Sequence, residues 1–236
     1  GGQKVAIAEV KRSAAGYDLK VYDAAGNHKL SAIAAVLEVK STNLTKYLKT
    51  LMDLDILERR VPVTEENPEK SKRGLYKIKD NYLRFWFAFI YPNMSFIESG
   101  HSGIVMDKIR RGLTTSHIGF VYEDICQEQM WELNVNNAWP FQFSKLGGYW
   151  DAKNEIDIAA LDPEGKNLIL GECKYWKEPV GLNVLHALEA KACDVAWERD
   201  RRKEWYVLFS ISGFSDELRN HAATRDDLLL IDDGER

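Results

Sequence analysis

Between residues 155 and 174 the chain alternates in a way that predicts a β-hairpin. Ile156, Ile158 and Ala160 interleave with Glu155, Asp157 and Ala159, the two-residue period of a strand. Asp162-Pro163-Glu164-Gly165 is turn chemistry. Leu168 to Gly171 is a short apolar run that ends in Glu172-Cys173-Lys174. Successive strand side chains point to opposite faces, so Glu172 and Lys174 share one face, as do Glu155 and Asp157. Cys173 faces the other way, towards a core, and reads as packing rather than as a nucleophile. Charge in a sheet is costly unless it is paired or binds a metal. The end of this hairpin is therefore a candidate site.

Upstream, the pattern is helical. Residues 14–25 predict a first helix, ended by Gly26-Asn27, and Leu30 to Leu37 a short apolar second one. Ser41 or Thr42 is positioned to cap a third, with Leu44, Leu48 and Leu51 as its core stripe. Two strands, Ile56 to Val63 and Gly74 to Lys79, flank the polar segment Thr64 to Arg73. Three helices followed by a hairpin describe a winged helix-turn-helix. Residues 81–92 are half aromatic and end at Pro92. They predict a buried linking helix rather than a base-stacking surface. The expected division is 1–92 for the winged helix and its linking helix, and 93–236 for a second domain.

In that second domain the pattern predicts a helix over Ile118 to Leu133, with Phe120, Ile125 and Met130 facing the core. A strand at Phe141-Gln142-Phe143 and a turn at Gly147-Gly148-Tyr149-Trp150 come next, before the hairpin. A helix over Val180 to Ala192, a buried strand from Trp205 to Ile211, a helix capped by Ser215 and a last strand from Leu228 to Ile231 follow. Helix, three strands, helix, strand, helix, strand is a mixed sheet covered by helices, an α/β fold class. His186 and Lys191, on the helix after the hairpin, read as surface residues.

Composition narrows the function classes. The 236 residues carry a formal net charge of -4, so any nucleic-acid contact must come from a local basic face. One exists. Between His28 and Asp80 there are 11 Lys and Arg against eight Asp and Glu, a net +3. Asn43, Lys46 and Lys49 on the third helix, with Lys70, Lys72 and Arg73 at the wing, are where a DNA backbone would sit. Solvated faces of a module used for protein contacts are the alternative. Three scattered cysteines are too few for a disulfide framework or a zinc site, which fits a reducing, cytoplasmic setting. No apolar run is long enough to span a membrane, and no signal-peptide pattern is present. The chain opens Gly1-Gly2 rather than with Met, as an excised piece of a longer protein would.

Asp157 followed fifteen residues later by Glu172-Cys173-Lys174, inside this element order, resembles the PD-(D/E)XK nuclease superfamily, whose core is an αβββαβ, restriction-endonuclease-like unit. Over residues 28–232 the likeness is narrower. The run from Ser41 to Asp80, Arg84-Phe85-Trp86-Phe87 with Tyr91-Pro92, Gly171-Glu172-Cys173-Lys174 and Ser212-Gly213-Phe214 together resemble the C-terminal region of archaeal-type P-loop ATPases. There a winged helix and a nuclease-like domain follow an ATPase domain. No G-x-x-x-x-G-K-[ST] run occurs here, so the ATPase part would lie upstream.

The resemblance implies metal-dependent hydrolysis of phosphodiester bonds in DNA. Asp157 and Glu172, with the backbone carbonyl of Cys173, would hold Mg²⁺ or Mn²⁺. Lys174 would orient the attacking water or stabilise the developing charge. Glu123, in the preceding helix, is similar to an extra acidic residue of resolvase-like members and would support a second metal or the water network. The alternative is a catalytically silent module that binds nucleic acid or protein on behalf of the ATPase.

Overall fold

The computed structural model describes residues 29–36 and 38–234. The helix expected over residues 14–25 lies outside them. The chain divides into two compact units. One holds the described residues up to Val61 together with Pro68–His117, and the other holds Pro62–Asn67 and the described residues from Ile118 onward. The 92/93 boundary expected from the sequence thus falls inside the first unit.

The first unit is rich in helix. Helices α1 (Leu30–Val36) and α2 (Ser41–Asp53) precede a two-stranded antiparallel hairpin, β1 (Leu57–Arg60) and β2 (Leu75–Ile78). The apolar stripe behaves as its spacing requires. Leu44, Leu48 and Leu51 are buried with Ile33, Leu57, Ile78 and Phe87 in one core. Neither Ser41 nor Thr42 caps α2. Lys40 holds the cap position and makes no side-chain cap bond.

Asp80 does cap the next helix, α3 (Asn81–Phe85), accepting a bond of 2.7 Å from the Leu83 N–H. The helix runs on through a π turn at Trp86–Ile90 and a 3₁₀ turn at Tyr91–Asn93. Phe87 and Phe89 are buried, and Arg84 is buried with them, donating to the Ile78 carbonyl at 3.0 Å. The chain does not separate after Pro92. Helices α4 (Met94–Glu98) and α5 (Ser102–Leu113) follow, and Lys108 of α5 donates to Asn93 Oδ1 at 2.6 Å.

The second unit is a five-stranded mixed sheet in the order β3-β4-β5-β6-β7. Its elements in chain order are α6 (Gly119–Val135), β3 (Lys145–Trp150), β4 (Glu155–Leu161), β5 (Asn167–Lys174), α7 (Leu182–Ala192), β6 (Lys203–Ser210), α8 (Asp216–Ala222) and β7 (Leu228–Asp232). From α6 to β6 this is the αβββαβ order. Strand β4 runs antiparallel to both β3 and β5, while β5, β6 and β7 are parallel. One face of the sheet (Ala159, Leu161, Leu168, Leu170, Leu208) packs on α7 and α8. The other face (Ile158, Ala160, Ile169, Cys173, Val207, Phe209) packs on Tyr122, Cys126 and Met130 of α6.

Three local expectations are corrected. The first strand of the sheet is not Phe141-Gln142-Phe143. The Asn134 side chain takes both backbone groups of Phe143, donating to its carbonyl at 3.1 Å and accepting from its N–H at 3.0 Å. That leaves those groups nothing to offer a ladder. The strand is Lys145–Trp150, which contains the glycine pair that reads as a turn. The register shifts between Gly147 and Tyr149, where Asp157 and Ile158 of β4 bulge opposite the single residue Gly148, and glycine suits such a close approach. On α6, Ile125 is exposed, and Tyr122 and Cys126 join Met130 in the core.

Candidate active site in a fork of the sheet

The hairpin of the sequence is β4 and β5. Its turn is closed by Asp162, whose carboxylate accepts from Lys166 N–H at 3.0 Å and Asn167 Nδ2 at 2.6 Å, and by Gly165 at φ 71°. The two strands then pair only as far as Ile158 opposite Gly171. Beyond that rung they part. β4 continues against β3, ending with Trp150 opposite Glu155, and β5 continues against β6, ending with Lys174 opposite Ser210. Asp157 and Glu172 are the first residues past the last shared rung. The candidate site is this fork.

Asp157 seals it. Its Oδ2 accepts the Cys173 N–H at 2.9 Å, and Gln127 of α6 donates to its carbonyl at 3.3 Å. Lys174 Nζ lies 3.6 Å from Asp157 Oδ2 and donates to Glu172 Oε2. Glu172 is 5% exposed and therefore needs every partner it has. Its second oxygen, Oε1, accepts from Lys191 Nζ at 2.5 Å. Lys191 comes from α7 and also donates to the Glu155 carbonyl at 2.7 Å. One buried and one part-buried carboxylate thus meet two ammonium groups.

The electrostatics separate the two acids. Burial pushes the Asp157 carboxyl up to about 6, and the neighbouring Glu172 charge adds to the rise. Burial also opposes ionisation of Glu172, but Lys174 and Lys191 outweigh it and hold its pKa below the usual value. For Lys174, desolvation is outweighed by Asp157 and Glu172, and its pKa is raised. Cys173 points into the α6 side of the sheet. Burial, with Cys126 beside it, drives its thiol pKa well up, so no thiolate is at hand.

The structure brings Asp157, Glu172 and Lys174 together and adds Lys191. Glu123 stands on α6, which covers the opposite face of β5, and its charge is felt by Cys173. Glu155 contributes its carbonyl rather than its carboxylate. Lys191, expected at the surface, is the residue the sequence pattern underweights, and a signal for it exists. It falls seven residues after Val184 and three after Leu188, so the apolar stripe of α7 itself carries it to the sheet.

In the first unit, Asn43, Lys46 and Lys49 are exposed on α2, and Lys70, Lys72 and Arg73 on the β1–β2 connection. Lys49 pairs with Asp53 at 3.2 Å. Other basic residues of this unit are used internally. Arg59 donates to the carbonyls of Pro68 at 2.8 Å and Ser71 at 2.6 Å, and Lys79 pairs with Asp55 at 2.6 Å.

Residues 86–193 match a family described as archaeal and bacterial proteins of unknown function, DUF234. The matched stretch takes in α6, β3, β4, β5, α7 and every residue of the fork. Over 153 residues the chain is 41% identical to an uncharacterized protein of Methanocaldococcus jannaschii, MJECL04, a match that covers 65% of this chain. The chain spans about a third of that relative's length, the covered share being 34%. Among solved structures, a repair endonuclease from Pyrococcus abyssi is similar at a TM-score of 0.29 and 12% identity, covering 44% of each chain. Among the described residues, no helix is long and apolar enough to cross a membrane.

The donor set can be tested against a divalent cation. Asp157 and Glu172 are hard oxygen donors, the type that Mg²⁺ and Mn²⁺ prefer, and the burial and repulsion that raise Asp157 are what a cation between them relieves. Among the described residues, no group of three or more His, Cys, Asp and Glu stands together as a metal cage. Two carboxylates fit a cation that keeps several of its waters, as Mg²⁺ does, and do not fit a structural zinc site.

Proposed function

We propose that the fork is a metal-dependent phosphodiesterase site and that the chain is a nuclease-like module acting on DNA. The observation that carries this reading is the convergence of Asp157, Glu172 and Lys174 where β4 and β5 part. Asp157 and Glu172, with the Cys173 carbonyl as a further donor, would hold Mg²⁺ or Mn²⁺, which supplies a Lewis acid for the phosphate and a water of lowered pKa. Lys174 supplies fixed positive charge beside both carboxylates, where a phosphate oxygen gains negative charge as water adds and the leaving oxygen departs. Asp157 also tethers Cys173 through its backbone N–H, which fixes β5 at the fork. Glu123, on the helix that covers the other face of β5, would support a second metal or the water network from that side. The exposed Lys46, Lys70, Lys72 and Arg73, with Asn43 and Lys49, supply the basic face for the DNA backbone in a winged-helix manner. The greater length of the M. jannaschii relative leaves room for the upstream ATPase domain that belongs to the same proposal.

Calorimetric titration with Mn²⁺ tests the reading. The wild-type chain binds Mn²⁺, Asp157→Ala and Glu172→Ala abolish binding, and both variants lose metal-dependent cleavage of plasmid DNA. A wild-type chain that binds neither Mn²⁺ nor Mg²⁺ removes the enzyme reading. A chain that binds metal and DNA without cleaving is the silent module instead.

A further inference from the structure

Both oxygens of Glu172 are already occupied by lysines. A divalent cation that takes this carboxylate must compete with both ammonium groups for its lone pairs and face their positive charge. The two lysines differ in how readily they can do so. Lys174 lies on the strand, between Asp157 and Glu172, with a side chain 19% exposed. Lys191 reaches in from α7 with a side chain 30% exposed, and it has a second acceptor outside the carboxylate pair, the Glu155 carbonyl at 2.7 Å. Releasing Glu172 therefore leaves the Lys191 ammonium an acceptor outside the carboxylate pair, whereas Lys174 would keep only Asp157, itself one of the two carboxylates the metal needs.

We propose that Lys191 is a built-in competitor for the metal: its ammonium holds Glu172 Oε1 until a divalent cation displaces it, and it then retreats to the Glu155 carbonyl. Lys191 is in this sense a positioning residue. It keeps the fork balanced at two positive and two negative side chains before metal arrives, and it weakens metal binding in return. The proposal rests on the metal reading of the fork but makes a separate demand of it.

Two variants test it on the intact chain. Lys191→Met removes both the charge and the donor. Lys191→Gln removes the charge but can still donate to Glu172 and the Glu155 carbonyl. Mn²⁺ affinity is measured by calorimetry and the thermal midpoint with and without Mn²⁺. Both variants are expected to bind Mn²⁺ about tenfold more tightly than wild type, on the order of 1.4 kcal/mol. Their midpoints are lower without metal, and Mn²⁺ raises them more than it raises the wild type's. A residue that serves only as a structural salt bridge would lower the midpoint and leave the Mn²⁺ affinity unchanged, which overturns the competitor role, as does weaker binding. If Lys191→Met does not fold, Lys191→Gln decides alone. If wild type and both variants all fail to bind Mn²⁺, the metal reading falls and the competitor with it. Equal binding in all three removes only the competitor.

Discussion

Strands β5 and β6 carry buried charge at both ends, and the two ends handle it differently. At their starts, Asn167 faces Lys203, and next to them Arg202 is 1% exposed in its side chain. Its guanidinium donates to the carbonyls of Val195 at 2.6 Å, Ala192 at 2.9 Å and Trp197, and to Glu204 Oε1 at 2.7 Å. Every partner is fixed, and the planar fork of donors is matched by acceptors around it. At the other ends, the fork of Asp157 and Glu172 brings two carboxylates close enough that burial and repulsion raise one of them. Arg202 is charge placed to hold loops together. The carboxylate pair is charge held in tension, an arrangement that stability alone does not favour and that marks functional sites.

The comparison can be broken at its stable end first. Arg202→Met removes a buried charge and orphans three backbone carbonyls. It is expected to destabilise the fold by about 3–5 kcal/mol in denaturant melts, while leaving Mn²⁺ affinity in the surviving folded protein unchanged. A loss under 1 kcal/mol would make the two ends alike.

The opposite sign is expected at the fork. The folded pKa of Asp157, about 6, lies above its ordinary 3.8, so the native state binds this proton more tightly than the unfolded chain does. Ionisation therefore removes stability as pH rises through that window, and the loss is complete above it. Asp157→Asn keeps an acceptor for the Cys173 N–H and is expected to stabilise the metal-free protein by about 2–3 kcal/mol at pH 7. The gain vanishes below pH 3.8, where the wild-type carboxyl is protonated in both states. Thermal melts of the two proteins across that range check it. A gain that persists at low pH would mean packing rather than charge.

The smallest effect belongs to the exposed lysines. Lys46→Ala and Lys49→Ala are expected to change stability by no more than about 0.5 kcal/mol. Each that contacts a phosphate reduces the salt slope of DNA binding by about 1, read from affinity against salt concentration. An unchanged slope assigns that face to protein contacts.

The hairpin was legible because two strands of period 2 were joined by Asp162 to Gly165, where pattern and turn chemistry agree. Strand β3 was not, because Gly147-Gly148 carries turn residues into a strand and only the bulge against β4 explains them. Residues 141–143 misled in the opposite sense. Their apolar alternation is real, but one buried side chain, Asn134, takes the backbone bonds that a strand would need. The acids of the site stood out as charge at a strand end. Lys191 did not, because a lysine on a helix reads as solvent-facing until it is counted against the apolar stripe of that helix.

Gly171 forms the last rung before β4 and β5 part, and it sits between Ile158 on one side and Val207 on the other. A methyl group there would lie 2.6 Å from Val207 Cγ1, 2.9 Å from the Val207 carbonyl oxygen and 3.2 Å from Ile158 Cβ. Backbone cannot yield as a flexible side chain can, so even alanine would act as a wedge driven into the apex of the fork. The spacing of Asp157 from Glu172 is thus governed by a residue with no side chain and no chemistry. A single substitution at Gly171 would displace the candidate site with all four of its charged groups intact.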